Sequence, residues 1–145
     1  MAMKFNPRNA ARAVARRLAV QALYRWQINV GPWQDLQSEF AADADMPKAD
    51  GDHFVALLRS AIEGHEALDA ALAPFLTMPP GGLDPVERAV LLVAACELRD
   101  HPETPMRVVI AEYVGIARRF GATDGHKLVN AVLDRAARAW RPDER

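Results

Sequence analysis

From Ala10 onward the apolar residues fall at positions 11, 14, 15, 18, 19, 22, 23 and 26, the spacing of a helix with one buried face. Asn9 is placed to cap this helix, and Gly31-Pro32 ends it. A shorter helix follows over 33–42, with Trp33, Leu36 and Phe40 inward, and the acidic stretch 43–50 around Pro47 predicts a loop. Asp52 then caps one long third helix whose stripe is Phe54, Leu57, Leu58, Ala61, Ile62, His65, Leu68 and Leu72, with Pro74 at its end. Met78-Pro79-Pro80-Gly81-Gly82 is the clearest break in the chain and divides it into two helical sub-bundles.

Asp84-Pro85-Val86-Glu87 combines a side-chain cap, a proline at the first helical position and a glutamate at capping-box spacing. The helix it starts runs to about Asp100 and has few polar faces, which predicts a central position. Thr104-Pro105 repeats the device before a helix ending at Phe120, with Val109, Tyr113, Ile116 and Phe120 as core, and Gly121 is read as a C-terminal cap with positive φ. Thr123 or Asp124 caps a last helix over about 125–140, with Leu128, Val129, Val132, Leu133 and Ala136 inward, and a frayed tail begins at Arg141. No stretch alternates with period two for long. The expectation is an all-α protein of six or seven helices: a basic N-terminal arm over 1–9 and one helical domain over 10–145.

Half of the 145 residues are apolar, enough for a core that buries roughly two-thirds of the unfolded chain's surface. The net charge of −1 conceals a segregation. Residues 1–25 carry Lys4, Arg8, Arg12, Arg16, Arg17 and Arg25 and no acid; residues 26–58 and 59–106 each sum to −5, and 107–145 to +3. Such a segregation suits an anionic ligand on one surface and a basic partner on another. The single cysteine, Cys96, lies in an apolar run, reads as an inert core thiol and permits no intrachain disulfide. No apolar run reaches the ~18 residues of a membrane span, and the basic N-terminus lacks a signal-peptide core, so the expected location is cytoplasmic.

Catalytic signatures are missing. The histidines, His53, His65, His101 and His126, form no zinc pattern, no glycine-rich loop suits a phosphate or dinucleotide cofactor, and neither Ser38 nor Ser60 sits in a nucleophile elbow. Residues alone thus predict a helical binding module for an anionic ligand, with no cofactor. Its phosphate contacts come from the arm and from the several arginines of the first helix, and Tyr24 is available for stacking or partner contact.

Four blocks extend this reading. R-x-x-x-R-R-x-A-V-Q-A-L-Y-x-W-Q at 12–27, Val86-Glu87-Arg88-Ala89-Val90-Leu91 through Glu97-Leu98, Pro105 through Ala111-Glu112, and the run from Phe120-Gly121-Ala122 to Leu133-Asp134 occur in the order seen in NusB transcription antitermination factors, and the chain resembles that family over nearly its whole length. The resemblance implies a bacterial, cytoplasmic, all-helical protein of two sub-bundles with no bond-making step. It also implies partnership with NusE, the small-subunit ribosomal protein, binding of single-stranded boxA RNA in nascent ribosomal transcripts, and entry into the RNA polymerase antitermination complex.

By position, Lys4, Arg8, Arg12 and Arg16 resemble the family's RNA-facing arm and first helix. Asp124 and Lys127 fall where the C-terminal signature approaches RNA, and Tyr24 and Glu87 fall on partner-facing positions. Glu87 also reads as a capping residue, and Gly121, His126 and Asn130 are explained equally by capping and packing. Ala13 and Val14 interrupt the family's arginine cluster, and Leu128 replaces a frequent phenylalanine, a change that forgoes about 1–3 kcal/mol if that ring stacks on a base. Two alternatives remain at this stage: the RNA-binding module of a ribosomal RNA cytosine methyltransferase, which needs a catalytic domain after residue 145, and a purely protein-binding helical adaptor.

Overall fold

The computed structural model describes residues 6–144, and every regular element among them is helical. Seven α-helices follow in order: α1 Pro7–Ile28, α2 Trp33–Phe40, α3 Gly51–Glu63, α4 His65–Leu72, α5 Pro85–Asp100, α6 Met106–Phe120 and α7 Gly125–Trp140. Helix α1 begins earlier than its apolar period suggests. Asn6 is the cap, its side chain accepting from the Arg8 amide, and Pro7 occupies the first helical position, where its missing N–H costs nothing. Arg8 and Asn9, expected in an arm, are therefore helical. Lys4 lies outside the described residues.

The expected long third helix is two helices meeting at Gly64. A side chain there would press on the Ser60 carbonyl oxygen at 2.9 Å, and Gly64 serves both as the end of α3 and the start of α4. The α3 cap is Asp50 rather than Asp52; its side chain accepts from the His53 amide. Asp84 caps α5 as its sequence predicts, accepting from the Val86 amide at 2.8 Å.

α5 is the axis of the molecule. It packs on α1, α3 and α4 on one side and on α6 and α7 on the other, so the two sub-bundles share it. All ten residues from Ala89 to Leu98 are buried. A helix enclosed on every face has no need of a polar stripe, which is why its sequence is almost wholly apolar. The alanines at 89, 94 and 95 let neighbouring helices approach closely, while Leu91, Leu92 and Leu98 each contribute the roughly 1.5–3 kcal/mol of a fully buried large side chain. Burial also pushes the Cys96 thiol up to about 12, in keeping with an inert core residue.

The tail after α7 is fixed, contrary to the frayed end expected from its charges. Arg141 turns back to the C-terminal end of α5 and donates to the carbonyls of Leu98 and His101 at 2.9 Å each and to that of Thr104 at 2.6 Å. A cation on exposed helix-end carbonyls is a strong cap. Glu144, paired with Arg141 at 2.9 Å, accepts from the Met106 amide at the start of α6. The tail thereby holds the α5–α6 turn, which forms one wall of the site below. Arg141→Ala is expected to lower stability by about 2 kcal/mol, the scale of hydrogen bonds to a charged group. A urea titration reads this as a lower midpoint at unchanged slope; an unmoved midpoint contradicts the cap.

Candidate nucleic-acid interface

The arginines of α1 separate according to their place on the helix. Arg8 is exposed. Arg12 is mostly covered: its Nε is 3.6 Å from Asp50 Oδ2 and its Nη1 is 3.9 Å from Glu103 Oε1. Both line a cleft of about 510 Å³ between the first turns of α1 and α6, with Asn6, Asn9, Glu103, Pro105, Val108 and Glu112 around it. Arg8 is open to solvent, while Arg12 reaches the cleft already paired with two carboxylates.

Arg16 is buried. Only 3 % of it is exposed, and its guanidinium forks onto Glu97, Nε to Oε1 at 2.9 Å and Nη2 to Oε2 at 2.8 Å. Nη1 reaches Glu112 Oε1 at 3.1 Å. Glu97 is fully enclosed on α5 and also accepts from the Tyr113 hydroxyl at 2.7 Å. His53 Nε2 stands 3.6 Å from Glu97 Oε2, near but beyond a formed hydrogen bond. The sequence expectation that Arg16 faces RNA is thus corrected: a carboxylate this deep requires a cation, and Arg16 supplies it. Burial alone would raise the Glu97 carboxyl, but the His53 ring and the Arg16 guanidinium hold it well below the usual carboxylate range.

The C-terminal signature forms the turn from α6 into α7. Asp124 and Lys127 are exposed there and pair with each other at 3.3 Å across one helical turn. Glu87 of α5, expected at a partner surface, is instead buried beneath this turn with 2 % exposure. Its Oε1 accepts from the Ala122 amide at 3.1 Å. The glycines of the signature exist to admit that carboxyl. A Cβ on Gly125 would overlap Glu87, and one on Gly121 would lie 2.8 Å from Glu87 Oε1 and 2.7 Å from the Ala117 carbonyl. Gly121 has φ −87°, so steric room rather than positive φ explains it. Burial and then the adjacent Asp84 carboxyl push Glu87 up, and the pairing with Glu87 pulls Asp84 down.

Tyr24 is partly exposed, as its position on the polar side of α1 suggests. It lines a second cleft of about 490 Å³ with Gln21, Arg25, Phe40, Asp43, Val86 and Phe120. Phe120 was expected in the core but is 37 % exposed, with the Arg119 guanidinium 4.8 Å from its ring centre. A third, shallower cleft, bordered by Val14, Arg17, Glu112, Ile116, Arg119 and Phe120, lies between the first two. The middle cleft shares Glu112 with the Arg8-end cleft and Phe120 with the Tyr24-end cleft, so the three form one seam along α1 and α6, cationic at its Arg8 end and apolar at its Tyr24 end. The groove role of Phe120 was hidden because its helical phase matches the α6 core stripe; the helix outruns its neighbours at that last residue. Leu128 packs against the core rather than standing free. Among the described residues no cluster of His, Cys, Asp or Glu is arranged to hold a metal, and no helix is long and apolar enough to cross a membrane.

Two consequences are measurable. Arg16→Ala is expected to cost about 3–5 kcal/mol by stranding Glu97, and Arg16→Lys to recover only part of it, because an ammonium cannot make the fork. Because the folded Glu97 pKa is depressed, its contribution is complete above the ordinary carboxylate pKa of about 4.3 and is lost as pH falls toward the folded value. Denaturation of both variants against wild type at neutral and acid pH measures the cost; full stability of Arg16→Ala contradicts the pair. Gly125→Ala is expected to destabilise by about 1–3 kcal/mol through overpacking on Glu87. The double variant Glu87→Ala/Gly125→Ala is expected to lose less than the sum of the single changes; strict additivity contradicts the contact.

The model of the NusB family matches residues 13–138. The chain is 44 % identical over 133 residues to the transcription antitermination protein NusB of Idiomarina loihiensis, covering 92 % of this chain and 96 % of that protein. It is 46 % identical over 135 residues to the NusB of Paraburkholderia phytofirmans, covering 93 % and 94 %. Among solved structures it is similar to T. maritima NusB, with a TM-score of 0.75, 26 % identity and coverage of 94 % and 93 %. A chain from a complex of antitermination factors NusB and NusE with double-stranded RNA shares the fold at a TM-score of 0.69 and 22 % identity, over 88 % of this chain and 96 % of that one. The seven-helix chain with its cationic and apolar seam belongs to the NusB family of transcription antitermination proteins.

Proposed function

We propose that this protein binds single-stranded boxA RNA of nascent ribosomal transcripts together with the ribosomal protein NusE, and that the heterodimer helps assemble the RNA polymerase antitermination complex. The observation that carries the proposal is the seam along α1 and α6. Its cationic end suits a nucleic-acid backbone and its apolar end, bordered by Arg25 and Asp43, suits a protein, so the two ligands lie side by side on one surface. The presence of NusB, NusE and RNA together in the structural neighbour agrees with such a pairing. A single strand is preferred to a duplex because sequence-specific RNA readers take unstacked bases whose edges are open.

In this reading Arg8 and Arg12 contact phosphates, and Lys127 with Asp124 extends the RNA surface at the α6–α7 turn. Any contact from Lys4 would add to the same end. Tyr24 and Phe120 receive the ribosomal protein, while Glu87 acts from beneath by holding the turn. Arg8→Ala, Arg12→Ala and Lys127→Ala are each expected to weaken RNA binding and to reduce the salt slope by about one. Tyr24→Ala and Phe120→Ala are expected to weaken the complex with the ribosomal protein by roughly tenfold or more while leaving RNA binding by the chain alone unchanged. Salt-dependent RNA titrations and RNA-free partner titrations separate the two ends; loss of RNA affinity without any change in slope contradicts the assignment of phosphate contacts.

A further inference from the structure

The cleft at the Arg8 end holds acids as well as cations. Glu112 gives Oε1 to Arg16 yet keeps its side chain 36 % exposed, and it lines both this cleft and the neighbouring one. Glu103 on the opposite turn is 51 % exposed. Glu103 pairs with Arg12 and Glu112 with Arg16, but toward a phosphate in the cleft both carboxylates are repulsive. They gain a further role if something other than phosphate also enters: the donors an RNA offers are the ribose 2′-hydroxyls, which every nucleotide carries alike, and the N–H groups of the bases, which differ from base to base. At about 510 Å³ the cleft has room for one nucleobase. Pro105 and Val108 give it apolar walls, Arg8 stands open at its rim, and Arg12 lines it with its Nε buried and 3.6 Å from Asp50 Oδ2, within ion-pair reach but beyond a formed hydrogen bond.

The bases differ in what they present to a carboxylate. Guanine has N1–H and the N2 amino group side by side, two parallel donors that match two carboxylate oxygens. Cytosine and adenine each set one amino group beside an acceptor nitrogen, which opposes the second oxygen. Uracil flanks its single N–H with two carbonyls. Each carboxylate oxygen has more than one acceptor direction, so Glu112 can keep Arg16 and still accept from a base.

We infer that this cleft takes one unstacked guanosine of the bound RNA, its base edge on the Glu112 carboxylate and its phosphate against Arg8 and Arg12. This rests on the RNA-binding reading above and adds a specificity-determining residue to it. Arg16 then has a second part as a positioning residue, because its Nη1 fixes the Glu112 carboxylate at the cleft wall.

The test titrates the full chain, at low salt, with short oligouridines that carry a single central guanosine, adenosine, cytidine or inosine. Guanosine is expected to bind roughly tenfold tighter than adenosine or cytidine, with inosine in between because it lacks the N2 amino group. Glu112→Gln, which keeps an oxygen for Arg16 but offers a base only one acceptor and an unwanted donor, is expected to abolish the guanosine preference. Equal binding of all four strands overturns the guanosine site and leaves the RNA-binding reading standing. An undiminished guanosine preference in Glu112→Gln overturns the role of Glu112. Failure of every strand to bind overturns the guanosine site, and the boxA-like strand titrated with the ribosomal protein then decides the RNA-binding reading separately. The inosine comparison needs no variant, so the outcome does not hang on the folding of Glu112→Gln.

Discussion

The ion pair between Arg16 and Glu97 is the constraint on which the rest of the molecule turns. A carboxylate with no exposure sits in the middle of the central helix, and a guanidinium from α1 meets it with a two-pronged hydrogen bond. Tyr113 joins from α6 and His53 stands beside it on α3, so four helices converge on one charge. An arrangement of this kind adds little net stability compared with apolar packing, but breaking half of it is costly. Its effect is orientational. It sets the rotation of α1, and with 3.6 residues per turn each step of four residues advances about 40° around the axis. Arg16 is therefore buried, Arg12 lies at the edge and Arg8 points to solvent. The surface available to an anion is what remains after the core has taken one of three evenly spaced arginines.

A second buried glutamate on the same helix organises the other end of the site. Glu87 takes the Ala122 amide and occupies the space left by two glycines, fixing the turn that carries Asp124 and Lys127. Both surfaces assigned to RNA are thus braced by carboxylates of α5 that do not reach solvent. Arg141 braces the remaining wall by capping the same helix. The C-terminal tail, the central helix and the α6–α7 turn all act on a seam that none of them lines along its length.

The sequence made the fold legible because helix periods, caps and prolines are local signals. The starts of α5 and α7, the centrality of α5 and the break near Gly82 all follow from residues within a few positions of each other. The boundary errors were local as well: Pro7 with Asn6 outweighed the apolar period at the start of α1, and Gly64 divided a stripe that reads as continuous. The site was less legible because its decisive contacts join residues far apart in the chain. Arg16 and Glu97 are 81 positions apart, and Glu87 and Ala122 are 35 apart. Nothing near Arg16 marks it as an internal counter-ion rather than one more cation of a stripe. Arg8, Arg12, Asp124, Lys127 and Tyr24 lie on accessible or partly accessible surface, where residue type and helical phase suffice to suggest their positions. Glu87 is the case in which a resemblance placed a residue at a partner surface and the packing placed it in the interior, beneath the α6–α7 turn.

The most direct measurement is a titration of the wild-type protein with a short boxA-like single-stranded RNA and with a scrambled strand, each with and without the ribosomal protein, at two salt concentrations. A seam that receives RNA and protein side by side predicts tighter binding of the boxA-like strand, a further gain when the ribosomal protein is present, and weaker binding at the higher salt. Equal affinity for both strands, unmoved by the ribosomal protein, would contradict it and leave only a generic basic surface on a helical scaffold.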